Sequence, residues 1–487
     1  MSHIYSIVEY YGFQTTNSCG YCKTPRGHSD CGMWLHYLTP NDYQNLIDRG
    51  WRRSGCYGYK PMLETACCQM YTIRCAAYSV QLKKSQKKLI KRINRFITSG
   101  DRKKWHSKDS QAAVSEGMDS HEPRSPENNV QCISNSSPSQ DVPVPTETKI
   151  IVDTPKAESA SLSENVTDPA PNPNLSAKNS NKRKTFRIER AIQRVMNKGG
   201  VSREEAIKTF KTKVKQPKLK SLEEFLSECD KPNSAHKLEL KIVQSSPSNE
   251  TFEKTFEAEY EVYRKYQVTI HKDKLESCSP NQFRRFLVKS PLEPVPIEGD
   301  NPPVPNYGSY HQQYWLDGKL IAVGVIDILP RCVSSVYFFY DPEYNDLVLG
   351  TYGSMRELEL VRKLQNCVPS LQFYYMGFYI HTCPKMRYKA RVSPSFLLCP
   401  EVYSWHPISQ CLQKLDEYGY SRLNEDPNAK DANLSTAIQS VLVLYREKIM
   451  RYGDFLRKGG SGDDHEIKEY LKAVGKECAN SMILYRR

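Results

Sequence analysis

The sequence predicts an α+β protein in two ordered parts, a cysteine-rich N-terminal domain and a C-terminal domain of mixed sheet flanked by helices, with a disordered linker between them. Three observations lead there. Seven of the sixteen cysteines fall within the first 75 residues. Residues 107–180 are rich in Ser, Pro and Asn and poor in large apolar side chains, so burial cannot offset chain entropy. Beyond residue 236, β-branched and aromatic runs alternate with segments of helical period. A chain of 487 residues allows two or three domains, while a mean hydropathy of −0.64 and 30 prolines leave part of it without a core.

The first domain spans 1–104. Residues 1–13, MSHIYSIVEYYGF, lack a basic leader and a continuous apolar core, and no apolar run approaches a bilayer span. The expected location is the cytosol, with the nucleus also open, and no membrane is expected. Cysteines there are thiols or metal ligands rather than disulfides. Cys19-Gly20-Tyr21-Cys22 has the two-residue gap that lets two thiolates converge on one ion, and Cys67-Cys68 is the second candidate pair. Adjacent cysteines diverge in extended backbone. They suit zinc only where the chain bends sharply, and an iron–sulfur cluster, with its separated iron corners, takes them more readily. His28 and His36 are further candidate ligands, and a set of buried free thiols is the competing reading.

From Gln81 to Lys104 there are ten Lys/Arg and one acid, and Leu82, Leu89, Ile93 and Phe96 recur at helical spacing. This predicts an amphipathic helix whose outer face carries Lys83, Lys84, Lys87, Lys88, Lys91, Arg92 and Arg95. The linker covers 105–180. A basic helical insertion covers 181–235, with fourteen Lys/Arg against three acids between Asn181 and Lys220, and a turn expected at Gly199-Gly200. These two segments carry +9 and +11, more than the +14 of the whole chain, so the remainder is acidic and the basicity is local. Local positive charge suits a polyanion through counterion release, whereas a solvated surface is the alternative.

The second domain spans 236–425. KLELKIVQSS reads as a strand, Glu250 to Tyr266 as a helix and Gln282 to Val288 as a short helix. Residues 310–330, YHQQYWLDGKLIAVGVIDILP, read as a hairpin turning at Asp317-Gly318, a pair suited to two positive φ values. Its second strand is apolar on both faces, which marks it as central. A strand over 333–342, a helix over 350–364 and a strand over 371–381 follow, and 426–487 reads as a C-terminal helical segment. This order is that of an acetyltransferase-like (GNAT) fold. The segment after the 333–342 strand lacks the Arg-x-x-Gly-x-Gly/Ala turn that would hold coenzyme A, which argues for a different donor. Asp327 stands out as a carboxylate in an apolar strand. It is either a structural group paired with backbone or Arg, or a functional one.

The 310–330 segment closely resembles the signature of the eukaryotic arginyl-tRNA–protein transferases. So do FYYMGFYIHTCPKMRYKARVSPSFLLCPE at 373–401, CGYC at 19–22, LIDRGWRRSG at 46–55 and the Cys67-Cys68 pair. The resemblance covers about the first 100 residues and roughly 240–425. It implies an acetyltransferase-like C-terminal fold, cluster binding by Cys19, Cys22, Cys67 and Cys68, and Arg-tRNA as co-substrate bound by the basic helix. It implies transfer of arginine to proteins beginning with Asp, Glu or oxidised Cys, whose products ubiquitin ligases recognise as N-degrons. An aminoacyl ester is already activated, so the site must deprotonate an amine, stabilise an oxyanion and hold two substrates. His311, Asp327 and His381 are the expected proton carriers. Gln312, Gln313, Tyr314, Tyr375 and Tyr379 offer hydrogen bonds, and Arg331, Lys385, Arg387, Lys389 and Arg391 offer cations to an acidic acceptor. A donor arginine calls for an acidic pocket. An enzyme of the same fold using another acyl donor, or a non-catalytic RNA-binding adaptor, are the alternatives.

Overall fold

The computed structural model describes residues 5–102 and 220–486, together with 189, 190, 192–197, 200, 202–205 and 207. The linker expected at 105–180 lies outside the described residues, as does most of 181–219. Within that stretch 192–197 and 203–205 are helical, and Gly200 between them has φ 55°. The chain divides into two units, one from 1–131 with 221–487 and one from 132–220.

The larger unit begins with β1 (Ile7–Asn17), β2 (His28–Tyr37), α1 (Pro40–Ile47), β3 (Arg52–Ser54), β4 (Tyr57–Pro61), β5 (Tyr71–Ala76) and α2 (Lys84–Ser99). It continues with β6 (Leu238–Ser246), α3 (Phe256–Tyr266), β7 (Val295–Pro296), β8 (Asn306–Leu316), β9 (Lys319–Leu329), β10 (Cys332–Tyr340), α4 (Leu349–Cys367), β11 (Phe373–Tyr379), β12 (Ser395–Leu398) and β13 (Trp405–Pro407). It closes with α5 (Ile408–Glu417), β14 (Leu442–Tyr445), β15 (Lys448–Arg451), α6 (Asp464–Ser481) and β16 (Ile483–Tyr485). The protein is therefore α+β with two mixed sheets, as expected of its class. One sheet has the order β13-β12-β5-β11-β10-β9-β8-β6, with β7 on β8, and the other the order β15-β14-β16-β1-β2-β4-β3.

The hairpin forms where expected. Asp317 and Gly318 take φ 51° and 81°, and the Asp317 carboxylate accepts from the Lys237 N–H at 2.8 Å, which secures the turn against β6. β9 lies between β8 and β10 and is buried from Leu320 to Leu329, as its two apolar faces require. The helix expected over 250–266 is two helices, Glu250–Glu253 and α3, and Thr255 at the break accepts the Gln313 side-chain amide at 2.8 Å.

Both sheets cross the sequence boundary placed at 104, and the sheet of β1 also crosses that at 425. β5, from the cysteine-rich part, lies between β11 and β12. β16, from the last segment, runs parallel to β1 through Ile483 and Leu484. The segment 426–487, expected to be helical, holds α6 and also β14, β15 and β16, strands of three or four residues that carry too little pattern to be read alone.

Candidate active site and metal centre

β10 and β11 run parallel and are laddered only from Cys332–Phe373 to Ser334–Tyr375. Two irregularities then part them. A bulge lies between Ser335 and Tyr337 of β10, and another between Tyr375 and Phe378 of β11, where Gly377 takes φ 66°. The gap is a pocket walled by Ser335, Val336 and Phe338 on one side and by Tyr374, Met376 and Phe378 on the other. Gly350, Ser354 and Glu357, spaced as one stripe of α4, line it too, as do Met386, Tyr388 and Lys389. Tyr21, from the loop between the first two cysteines, completes it.

Glu357 is buried, and the Tyr374 hydroxyl donates to its Oε2 at 2.6 Å. Burial pushes its carboxyl up to about 7, against hydrogen bonds from Tyr374 and Ser335. Lys389 is buried on the same pocket and donates Nζ–H to the Phe378 carbonyl at 2.8 Å. α4 opens after Val348, a β-branched residue at φ 53°, and has no side-chain cap.

The expected proton carriers lie elsewhere, and none lines this pocket. His311 is fully buried, with Nε2 3.0 Å from the Leu287 carbonyl and Nδ1 2.5 Å from Glu259 Oε2. Asp327 is also fully buried and forms a two-pronged pair with Arg53 at 2.6 and 2.9 Å, while Ser309 Oγ donates to it at 2.6 Å. The competing structural reading describes its setting. His381 sits in a chain in which Tyr379 lies 2.8 Å from Nδ1 and Asp416 2.7 Å from Nε2. Central strands send their polar side chains into packed helices and neighbouring strands rather than to a cleft, which is why β8 and β9 seal theirs.

The same holds for most expected substrate contacts. Gln312 accepts from the Tyr314 hydroxyl at 2.7 Å, and Gln313 donates to Glu259 at 2.7 Å. Arg331 pairs with Asp48 at 2.7 Å, and Tyr375 is bonded to Arg74 and Asp48. Lys389 alone of the ten lines the pocket, while Lys385, Arg387 and Arg391 stand exposed on the same Pro384–Arg391 segment. Glu357 and Tyr21 were not singled out from the sequence.

The cysteine expectation is met in space. The sulfurs of Cys19, Cys22, Cys67 and Cys68 all lie within 4.8 Å of one another, and those of Cys22 and Cys67 are 3.2 Å apart. The chain bends to bring them together. Cys19 N–H donates to the Thr24 carbonyl at 3.0 Å, Lys23 takes φ 65°, and Cys67 N–H donates to the Gly27 carbonyl at 2.9 Å. A Cβ on Gly27 would stand 2.6 Å from Cys67 Sγ, so this position has room only for glycine. Burial works against ionising Cys22, but hydrogen bonds from Thr24, Cys67 and Cys19 bring it down to about 6, while burial and Cys22 push Cys67 up to about 12. Four thiols so placed can hold a metal. His28 and His36 turn to Asp30 and Glu9 instead.

On α2, Leu89, Ile90, Ile93, Phe96 and Ile97 are buried, and Lys84, Lys88, Lys91 and Arg95 form one exposed basic stripe. Lys87 and Arg92 are half-buried at its flanks, and Lys83 precedes the helix, where burial, with Arg391 nearby, lowers its ammonium.

Residues 17–88 match the family described as arginine-tRNA-protein transferase, N terminus, and residues 258–399 its C-terminal counterpart. Arginyl-tRNA–protein transferase 1 of Drosophila melanogaster is 40% identical over 504 residues, covering 98% of this chain and 99% of its own. Arginyl-tRNA–protein transferase 2 of Arabidopsis thaliana is 34% identical over 503 residues, covering 92% and 82%. An aspartate/glutamate leucyltransferase of Pseudomonas aeruginosa is 32% identical over 158 residues, covering 32% of this chain and 56% of its own. The chain belongs to the arginyl-tRNA–protein transferase family, aminoacyltransferases that move arginine from Arg-tRNA to proteins.

Proposed function

We propose that the acceptors are proteins beginning with Asp, Glu or oxidised Cys, and that transfer takes place in the gap between β10 and β11. The observation that carries this reading is a buried ammonium, Lys389, on the wall of that gap. An acidic first residue requires a cation at short range, and a buried one is screened least. The name of the Pseudomonas relative, which pairs a leucyl donor with aspartate and glutamate, supports an acidic acceptor.

The acceptor nitrogen attacks the ester carbonyl, a C–N bond forms, the ester C–O bond breaks, and the ribose oxygen leaves with a proton. An α-amine of pKa ~8 is partly free at neutral pH, so no covalent intermediate is needed. Backbone N–H groups on the parted edges of β10 and β11 suit the oxyanion. None of His311, Asp327 and His381 lines the gap, so the amine proton passes to the leaving ribose oxygen without them, while His311 and Asp327 hold the sheet. The parallel pair that parts at a bulge, with a helix between its strands, supports the acetyltransferase-like reading. The uncapped start of α4 and the basic stripe of α2 suit phosphates of the tRNA, with Lys83 beside Arg391 joining stripe to rim.

A single tetrahedral ion with Zn–S of about 2.3 Å sets its sulfurs roughly 3.8 Å apart, which fits the cysteine cage more closely than an iron–sulfur cluster. Such an ion supplies a cross-link that fixes the loop carrying Tyr21. The family resemblance adds cytosolic or nuclear action and recognition of the product by ubiquitin ligases. The test is transfer of labelled arginine from Arg-tRNA to matched peptides beginning with Asp or Ala, with a ribonuclease control. Transfer is expected to Asp only, and Lys389→Met should lower kcat/KM for that peptide about tenfold or more without changing the KM for Arg-tRNA. Equal transfer to both peptides by the unaltered protein overturns the acceptor assignment.

A further inference from the structure

Glu357 is the one buried carboxylate on the pocket, and the transfer chemistry leaves it without a task. It is the last member of the Gly350–Ser354–Glu357 stripe of α4, about one helical turn along from Ser354. Its setting is built for a carboxylate. Tyr374 donates to Oε2 at 2.6 Å and Ser335 contributes a second hydrogen bond. Gly324 of β9 gives it room, since a Cβ there would stand 2.8 Å from Oε1.

What the setting lacks is a counter-charge. Among the described residues no cation pairs with Glu357. Arg356, its neighbour in sequence, is spent on Tyr352 at 2.9 Å, Glu359 at 3.0 Å and the Leu226 carbonyl at 3.3 Å. Lys389 points its ammonium at the Phe378 carbonyl at 2.8 Å. A carboxylate taken from water with donors but no cation is costly, and a cationic ligand removes that cost. The walls match a planar cation, because Phe338, Phe378 and Tyr374 present aromatic surface on which a guanidinium stacks.

We propose that Glu357 receives the guanidinium of the donor arginine and is the residue by which this pocket selects an arginyl ester over one with a neutral side chain. The assignment rests on the gap between β10 and β11 being the site of transfer. It gives the pocket two poles, Glu357 for the donor side chain and Lys389 for the acceptor side chain, with the reacting carbonyl between them.

The experiment compares tRNA charged with arginine and tRNA charged with citrulline, which has the same shape without the charge, in transfer to a peptide beginning with Asp. The unaltered protein is expected to prefer arginine by about 100-fold or more in kcat/KM, and in Glu357→Gln that ratio should fall below about tenfold, with citrulline transfer retained. A purely structural role would depress both donors alike and leave the ratio unchanged. Tyr374→Phe, which keeps the carboxylate, should keep most of the preference. The assignment is overturned if the unaltered protein uses both donors equally, or if folded Glu357→Gln keeps the full preference. Should Glu357→Gln fail to fold, Glu357→Asp, which draws the carboxylate back by one methylene, decides it: its ratio should fall, and an unchanged ratio overturns the assignment. Unchanged transfer to the Asp peptide by folded Lys389→Met instead removes the reading of the site on which the assignment rests.

Discussion

Glu357 combines a functional setting with a thermodynamic liability, and the sign of that liability is fixed by its titration. Burial raises it from the ordinary 4.5 to about 7. The folded protein therefore holds this proton more tightly than the unfolded chain. The contribution to stability is full below the unfolded value and is lost as pH rises through about 7. Once the carboxyl is ionised, the loss amounts to roughly 3 kcal/mol. The phenols of Tyr374 and Tyr314 and the ammonium of Lys389 share this region, and the phenols stay neutral over that range because burial pushes both far up. Glu357→Gln should therefore raise the melting temperature at pH 8 and change it little at pH 5, even as arginine transfer falls. Thermal melts at the two pH values check this, and a variant less stable at both would contradict it. Nothing in the local sequence marks this residue. Arg356-Glu357-Leu358-Glu359 reads as the polar face of a solvated helix, yet both acids are buried: Glu359 pairs with Arg356 at 3.0 Å, and Glu357 faces a gap made by strands far along the chain. Asp327 was the reverse case. Its apolar strand made it conspicuous, but its partner Arg53 lies 274 residues away, so sequence alone left both roles open.

At the scale of elements, that ion pair joins β3 to β9. Arg53 and Asp327 are both buried, and Ser309 and Ser290 extend the network, with a Ser309–Ser290 hydrogen bond of 2.7 Å. Removing one partner leaves an uncompensated charge in the core, so Asp327→Ala should cost about 3–5 kcal/mol. Replacing both, as in Arg53→Met with Asp327→Leu, should recover most of that loss. Denaturant unfolding of the single and double variants measures the difference, and a single variant within about 1 kcal/mol of the unaltered protein would show that water reaches the pair. Elements with strong local chemistry were legible, among them the Asp317-Gly318 turn, the apolar β9 and the amphipathic α2. Elements set by tertiary contact were not. The break at Thr255 serves a side chain from β8, and Gly377 holds its bulge partly because Arg52 Nη2 donates to its carbonyl at 3.4 Å. Neither contact has a counterpart in local pattern.

At the scale of the whole molecule, the cysteine-rich part and the catalytic part are successive in sequence and interleaved in space. β5 fills the position between β11 and β12, directly behind the strand that walls the pocket, and Tyr21 reaches the pocket from the cysteine cage. In return, β16 and β14 extend the sheet that β1 begins. Strand partners hundreds of residues apart leave no periodic trace, which is why the sequence divides cleanly at 104 although the sheets do not. A strand without its neighbours exposes unpaired backbone and apolar faces, so neither part should fold alone. A fragment of residues 1–104, supplied with zinc, should show no cooperative thermal transition, and neither should residues 220–487. Mixed, they should form one complex that melts cooperatively and transfers arginine, because every ladder that crosses the boundary is restored. Circular dichroism and the transfer assay follow both properties. A cooperative transition in the 1–104 fragment alone would mean that the metal cage suffices to fold it. β5 would then be docked onto a finished domain rather than built into the sheet, and the coupling between cage and pocket would rest on Tyr21 alone.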